Sequence, residues 1–236
     1  SIRSAADKII WGKTVNAGQT CVAPDYVMVH QSIRNELIKE MKRAINDFYG
    51  DDVKGSESLG RIINERHFNR LRNILESDKE GLIYGGEYDE EEKYIAPSII
   101  QVKDWNAACM KEEIFGPILP IMEYSDLNEV VNAINKQPKP LALYLFTSDK
   151  RVEKKVLNEI SSGGVSINDT ILHLANSNLP FGGVGNAGMG AYHGEESFRT
   201  FSHRKSVLKK SRVLNTTLMY PPYSDKKLMV IKRFLK

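Results

Sequence analysis

Two cysteines stand in different company. Cys21 closes the run Asn16-Ala-Gly-Gln-Thr-Cys21 just ahead of Val22-Ala-Pro24, in a polar turn after a helix-like stretch, where a thiol is exposed to reactants. Cys109 lies in Asn106-Ala-Ala-Cys-Met110, small and apolar, the usual setting of a buried and inert cysteine. Cys21 is therefore the candidate nucleophile. An ordinary thiol, with a pKa of ~8.5, is only about 3% ionised at neutral pH, so a working nucleophile needs activation worth on the order of 2 kcal/mol. No base is adjacent to Cys21 in sequence, and none of His30, His67, His173, His193 and His203 falls in a hydrolase signature.

Lys111-Glu-Glu-Ile-Phe-Gly-Pro117 offers two carboxylates, but consecutive residues share no face of a helix or a strand. Glu112 and Glu113 do not read as an acid/base dyad. The plainer reading is a solvated corner, and the chemical one is a single inward carboxylate accepting hydrogen bonds from a sugar hydroxyl. Gly183, Gly185 and Gly188 match G-x-G-x-x-G letter for letter. That dinucleotide pattern needs a strand before it, a helix opening on it and an acid about twenty residues on. Leu179-Pro180 is a poor strand end and residues 203–215 contain no acid, so the glycines read instead as a loop permitting positive φ and close backbone approach.

These groups need elements to hold them. Ile9, Ile10 and Val15 suggest a helix before Cys21, and Tyr26-Val-Met-Val-His30 reads as a strand after it. Ile33, Leu37, Met41, Ala44, Ile45 and Phe48 keep helical spacing until Gly50, and a second helix spans Asn64 to Glu76. Short strands are predicted at 82–84, 94–95, 99–100 and 118–124. A helix capped at Ser125-Asp126 follows, then a strand over 141–147, a helix over 149–160 and a strand over 165–168. This alternation predicts an α/β fold with a largely parallel sheet flanked by helices over residues 1–200.

The 236 residues, 41% hydrophobic and 27% charged, supply enough apolar material for a sizeable core. No run approaches eighteen apolar residues and the first twenty carry Arg3, Asp7, Lys8 and Lys13, so neither a membrane span nor a secretory signal is expected and the chain reads as cytoplasmic. Two cysteines fit a reducing compartment and suggest no metal. A net charge of +3 is too weak for nucleic acid. Residues 203–236 hold ten Lys or Arg against Asp225 alone, so the whole positive surplus lies there. Leu228, Ile231, Phe234 and Leu235 keep helical spacing in this tail, but Tyr220-Pro-Pro-Tyr223 breaks any continuous helix. Residues 201–236 read as an arm that docks on the parent fold or a neighbouring subunit, in preference to a membrane surface.

Asn16-Ala-Gly-Gln-Thr-Cys21, Glu112-Glu113-Ile-Phe-Gly-Pro117, Asn168-Asp-Thr and Pro180-Phe-Gly-Gly183 occur in the order of the aldehyde dehydrogenase superfamily, which the chain resembles. Residues 179–203 and the Tyr220-Pro-Pro-Tyr223 tail look like its class 3, fatty-aldehyde-type branch. The resemblance implies that Cys21 attacks an aldehyde, that hydride passes to NAD or NADP, and that water releases the acid from a thioester. It implies that the Cys21 backbone N–H forms part of an oxyanion hole. It gives Glu113 to the nicotinamide ribose, Phe115 to the nicotinamide itself, Phe181 to the aldehyde pocket, and a homodimer to the full-length enzyme. The family's general-base glutamate, in a Glu-Leu-Gly-Gly-Lys-like motif, is not in this chain, nor is an amino-terminal cofactor domain. The chain alone is therefore expected to be inactive. Two other readings stay open: a CoA-acylating or phosphate-dependent relative using the same cysteine, and a non-catalytic assembly module.

Overall fold

The computed structural model describes residues 1–213 and 217–234, which divide into two compact units, 1–201 and 202–236. In chain order the elements are α1 (Ile2–Thr14), β1 (Val27–His30), α2 (Arg34–Tyr49), α3 (Glu65–Ser77), β2 (Leu82–Tyr84), β3 (Tyr88–Asp89), β4 (Tyr94–Ile95) and β5 (Ser98–Gln101). After these come β6 (Ile118–Tyr124), α4 (Leu127–Asn135), β7 (Ala142–Leu145), α5 (Lys150–Glu159), β8 (Gly164–Ile167), α6 (Leu172–Ala175), α7 (Gly194–Thr200) and α8 (Asp225–Phe234). Asn64, Asp126 and Asp149 start their helices as expected from their side chains, accepting from the backbone N–H of His67, Asn128 and Arg151 at 2.9, 2.9 and 2.8 Å.

The main sheet runs in the order β1-β6-β5-β2, with β6 parallel to both β1 and β5, and β2 antiparallel at the edge. Along β6, Ile118 and Met122 face a core shared with Phe68 and Leu71 of α3, while Leu119 and Ile121 face one shared with Ile9, Ile10, Met41 and Ile45 of α1 and α2. Helices cover both faces, which is why β6 reads as an unbroken apolar run and not as an alternating one. The parallel, helix-flanked architecture agrees with the predicted fold class.

Two details differ from the sequence reading. The parallel pair β7-β8 forms its own sheet and does not extend the first. Phe48, expected on the apolar face of α2, is 38% exposed, because Tyr49 turns inward at the helix end and donates its hydroxyl to Thr14 Oγ1 at 2.6 Å.

In the second unit, α8 is joined to the turn before it by Lys227, whose Nζ donates to the carbonyls of Tyr220 and Pro222 at 2.9 and 3.0 Å. Leu228 and Phe234 of α8 are exposed, and Leu235, expected on the same stripe, lies outside the described residues. No described helix is long and apolar enough to cross a membrane.

Candidate active site

Helix α1 ends at Thr14 and the chain enters a left-handed turn: Asn16, Ala17 and Gly18 have φ of 53°, 51° and 74°. Non-glycine residues held there cost roughly 1–3 kcal/mol each, so the neighbouring contacts must impose the turn. They do so from two sides. The Asn16 side chain donates to the Gln19 carbonyl at 2.9 Å, and Gln19 Nε2 donates to the carbonyls of Asn16 and Arg61 at 3.0 and 3.1 Å. Gln19 Oε1 accepts from Ile63 N–H at 3.0 Å. Beneath the turn, Gly18 packs on Gly116 so closely that a Cβ would run into the Gly116 carbonyl oxygen. The polar residues that precede the thiol are thus the clamp that shapes its turn.

Cys21 emerges from this clamp exposed, in a tight turn closed by Ala23 N–H on the Thr20 carbonyl at 3.0 Å. Its own backbone N–H meets no acceptor among the described residues. Tyr144 of β7 holds the far side, donating to the Val22 carbonyl at 2.6 Å. Cys109 is 1% exposed and takes its backbone hydrogen bond from N–H to Asp78 Oδ2 at 2.8 Å, with burial driving its thiol pKa far upward. The two cysteines therefore differ as their sequence settings suggest.

Cys21 lines a cavity of about 1020 Å³, and Glu113 and Phe115 line it too, although 92 residues separate Glu113 from the thiol in sequence. Glu112 turns away and pairs with Arg70 at 3.2 Å. Arg70 also donates to the carbonyls of Glu113 and Ile114 at 3.4 and 2.5 Å, and Asp25 Oδ1 accepts from Ile114 N–H at 3.1 Å. These bonds fix the loop in which Phe115 is held at φ 49°. Partial burial and the nearby Asp25 charge push the Glu113 pKa up, while Lys13 and Arg70 pull it down. Lys13 is 2% exposed, and burial lowers its pKa to about 8.

Asn168-Asp-Thr170 braces the same region. Asn168 exchanges side-chain hydrogen bonds with the backbone of Thr147 at 2.9 Å each, and Thr170 Oγ1 donates to the Lys8 carbonyl of α1 at 2.8 Å. Phe181 does not line the cavity. It packs with His173, Tyr192 and His193 at ring-centroid distances of 6.1, 5.7 and 6.0 Å, and its backbone exchanges hydrogen bonds with Tyr192 at 2.9 Å. The glycine loop folds on itself, with Gly182 and Gly183 against the carbonyls of Gly190 and Ala187. Its only regular element is a short 3-10 turn over Gly185–Ala187, where a dinucleotide fingerprint would open an α-helix. Asn186 and Ala187 of this loop reach the cavity.

Sequence reasoning missed Lys13, Asp25, Arg70 and Tyr144. Only Lys13 carried a signal: it lies three and four residues after Ile10 and Ile9, a lone cation on the apolar face of α1.

The profile of the aldehyde dehydrogenase family matches residues 1–207. The chain is 48% identical over 236 residues to 4,4'-diaponeurosporen-aldehyde dehydrogenase of Staphylococcus aureus, covering all of this chain and 51% of that protein. It is 49% identical over 221 residues to the dimeric NADP-preferring aldehyde dehydrogenase of Rattus norvegicus, covering 92% of this chain and 48% of the relative. Among solved structures, the substrate-bound state of Staphylococcus aureus AldH superposes with a TM-score of 0.91 at 47% identity, over 100% of this chain and 51% of that one. The NAD-dependent aldehyde dehydrogenase of Sinorhizobium meliloti gives a TM-score of 0.77 at 25% identity, over 86% and 41%. The chain spans about half the length of these relatives.

Proposed function

The chain belongs to the aldehyde dehydrogenase family, and we propose that it carries the thiol-bearing half of an enzyme that oxidises an aldehyde to a carboxylic acid. The observation that carries this reading is that exposed Cys21 lines the same cavity as Glu113 and Phe115. Cys21 Sγ, as thiolate, adds to the carbonyl carbon, and a C–S bond forms as the carbonyl electron pair moves to oxygen. The Cys21 backbone N–H, which has no described acceptor of its own, is available to that oxygen.

NAD or NADP, when bound, accepts the hydride that leaves the aldehyde carbon. Glu113 and Phe115 fit such a group: a carboxylate that can accept from ribose hydroxyls, beside an exposed aromatic face fixed by the turn at φ 49°. Loss of the hydride leaves an acyl group on Cys21 Sγ, and water cleaves that thioester to the acid and regenerates the thiol. Phe181, which lies outside the lining of this cavity, is assigned to the aldehyde pocket on the family resemblance. The mammalian relative named dimeric supports a homodimer for the complete enzyme, with the arm over 201–236 as a docking segment.

Iodoacetamide labelling tests the assignment of the thiol. Cys21 should be carbamidomethylated at neutral pH at least 100-fold faster than Cys109, read by peptide mass mapping; equal, slow labelling of both would remove Cys21 from its role. The chain alone should form NADH or NADPH from an aldehyde at no more than trace rates, because among the described residues none is hydrogen-bonded to the Cys21 thiol as a general base for thioester hydrolysis would be. Sustained turnover at 340 nm would contradict that expectation.

A further inference from the structure

An amide N–H stabilises a developing oxyanion most when it is aimed before the reaction begins, because a donor that must reorient during it contributes little. The Cys21 N–H belongs to the planar peptide that also carries the Thr20 carbonyl, so whatever fixes that carbonyl fixes the donor. The Thr20–Cys21 and Val22–Ala23 peptides are both trans, and in each the N–H and the C=O point in opposite directions. Two hydrogen bonds run through these planes in series. Tyr144 Oη donates to the Val22 carbonyl at 2.6 Å, and the N–H of the same peptide, that of Ala23, donates to the Thr20 carbonyl at 3.0 Å. With the Thr20 carbonyl directed into the turn, the Cys21 N–H is directed out of it, where it meets no acceptor among the described residues. Thr20, Cys21 and Ala23 all line the cavity.

The Gln19 side chain does not reach these planes, since its bonds go to Asn16, Arg61 and Ile63. Tyr144 is a firm anchor. It stands in β7, opposite Ser166 of β8, and its ring meets the His173 ring edge-on at a centroid distance of 5.8 Å. Burial pushes its phenol pKa up to about 12, against a hydrogen bond from the Ile171 backbone, so the hydroxyl keeps its one proton for Val22.

We propose that Tyr144 is a positioning residue for acyl transfer: its hydroxyl, acting through the Val22–Ala23 peptide, sets the direction of the Cys21 N–H that receives the oxyanion, without itself touching the substrate. The proposal rests on the reading of Cys21 as the nucleophile. None of the hydrogen bonds in the series reaches Sγ, so Tyr144 governs reactions of the thiol that develop an oxyanion and not those that develop none.

Two reagents separate these cases in the 236-residue chain. With p-nitrophenyl acetate, Cys21 Sγ forms a C–S bond to the carbonyl carbon, the carbonyl electron pair moves to oxygen, and p-nitrophenolate leaves as that pair returns. With iodoacetamide, Sγ displaces iodide from a methylene carbon and no oxyanion forms. Both rates scale with the thiolate fraction, so their ratio at Cys21, read by peptide mass mapping, reports the oxyanion donor alone. Tyr144→Phe should lower acetylation about tenfold, less than the ~10²–10³ for outright loss of a donor, and leave carbamidomethylation within about a factor of two. Replacing Tyr144 by p-aminophenylalanine, which keeps a donor in place, should restore acetylation. An unchanged ratio in Tyr144→Phe, including an equal fall in both rates, overturns the proposal. Should Tyr144→Phe fail to fold, p-fluorophenylalanine at the same position fills the space of the hydroxyl without donating, and an unchanged ratio there overturns the proposal equally. Failure of the nucleophile reading is separate: native Cys21 would then take neither group, and the proposal would fall with it.

Discussion

In an enzyme assembled with this chain as its thiol-bearing part, Cys21→Ala should lower kcat for aldehyde oxidation by on the order of 10⁴-fold or more. Cofactor affinity should stay within about a factor of two. The asymmetry follows from the geometry. Cys21 stands exposed at a turn whose shape is set by Asn16, Gln19 and Gly18, none of which bonds to the thiol. Removing Sγ deletes the bond-forming atom and leaves the turn, while Glu113 and Phe115 keep their own supports in Arg70 and Asp25. The other thiol cannot substitute, because Cys109 is 1% exposed with its pKa raised by burial. Rates are read at 340 nm and cofactor affinity by fluorescence titration. Retained oxidation would mean that another group forms the covalent bond.

The second large effect is structural. Gly18→Ala should destabilise the chain by about 3 kcal/mol, the sum of strain at positive φ and of overpacking against backbone that cannot swing away. Gly18 has φ 74°, and the obstacle to a Cβ is the Gly116 carbonyl oxygen, followed by the Lys13 carbonyl. For a domain of this size such a loss lowers Tm by about 10 °C, measurable by circular dichroism. The contact joins the thiol turn to the Glu113 loop, so Gly18→Ala should also change Cys21 labelling. Gly50 separates the two contributions: it too has positive φ, at 75°, but nothing lies within 4 Å of its Cβ position, so Gly50→Ala should carry the backbone strain alone, roughly 1–3 kcal/mol, without the overpacking.

What the sequence revealed and what it withheld divide along physical lines. Helices announced themselves where a cap and an apolar stripe coincide, as at Asn64 with Phe68, Leu71, Ile74 and Leu75. The exposed and buried cysteines were separable because neighbouring side chains report local burial. Alternation of strands and helices carried the fold class, but not the break between the main sheet and β7-β8, because pairing depends on which edges meet in space. For the same reason Asp25, Arg70 and Tyr144 passed unnoticed: each acts across 89, 44 and 122 residues, on Ile114, Ile114 and Val22. Asn168 and Thr170 could be singled out as a motif, yet their work as a brace between β7 and α1 is visible only once the segments touch.

Cys21 Sγ is the atom proposed to take the acyl group, and this can be read directly in the chain without cofactor. Incubation with p-nitrophenyl acetate transfers acetyl to an active thiolate and releases p-nitrophenolate, forming the same thioester linkage that aldehyde oxidation would leave. Mass mapping should find a single hydroxylamine-labile acetyl group, on the peptide containing Cys21, and none on that peptide in Cys21→Ala. Acetyl groups spread over lysines with Cys21 unmodified would contradict the claim that this residue is the nucleophile.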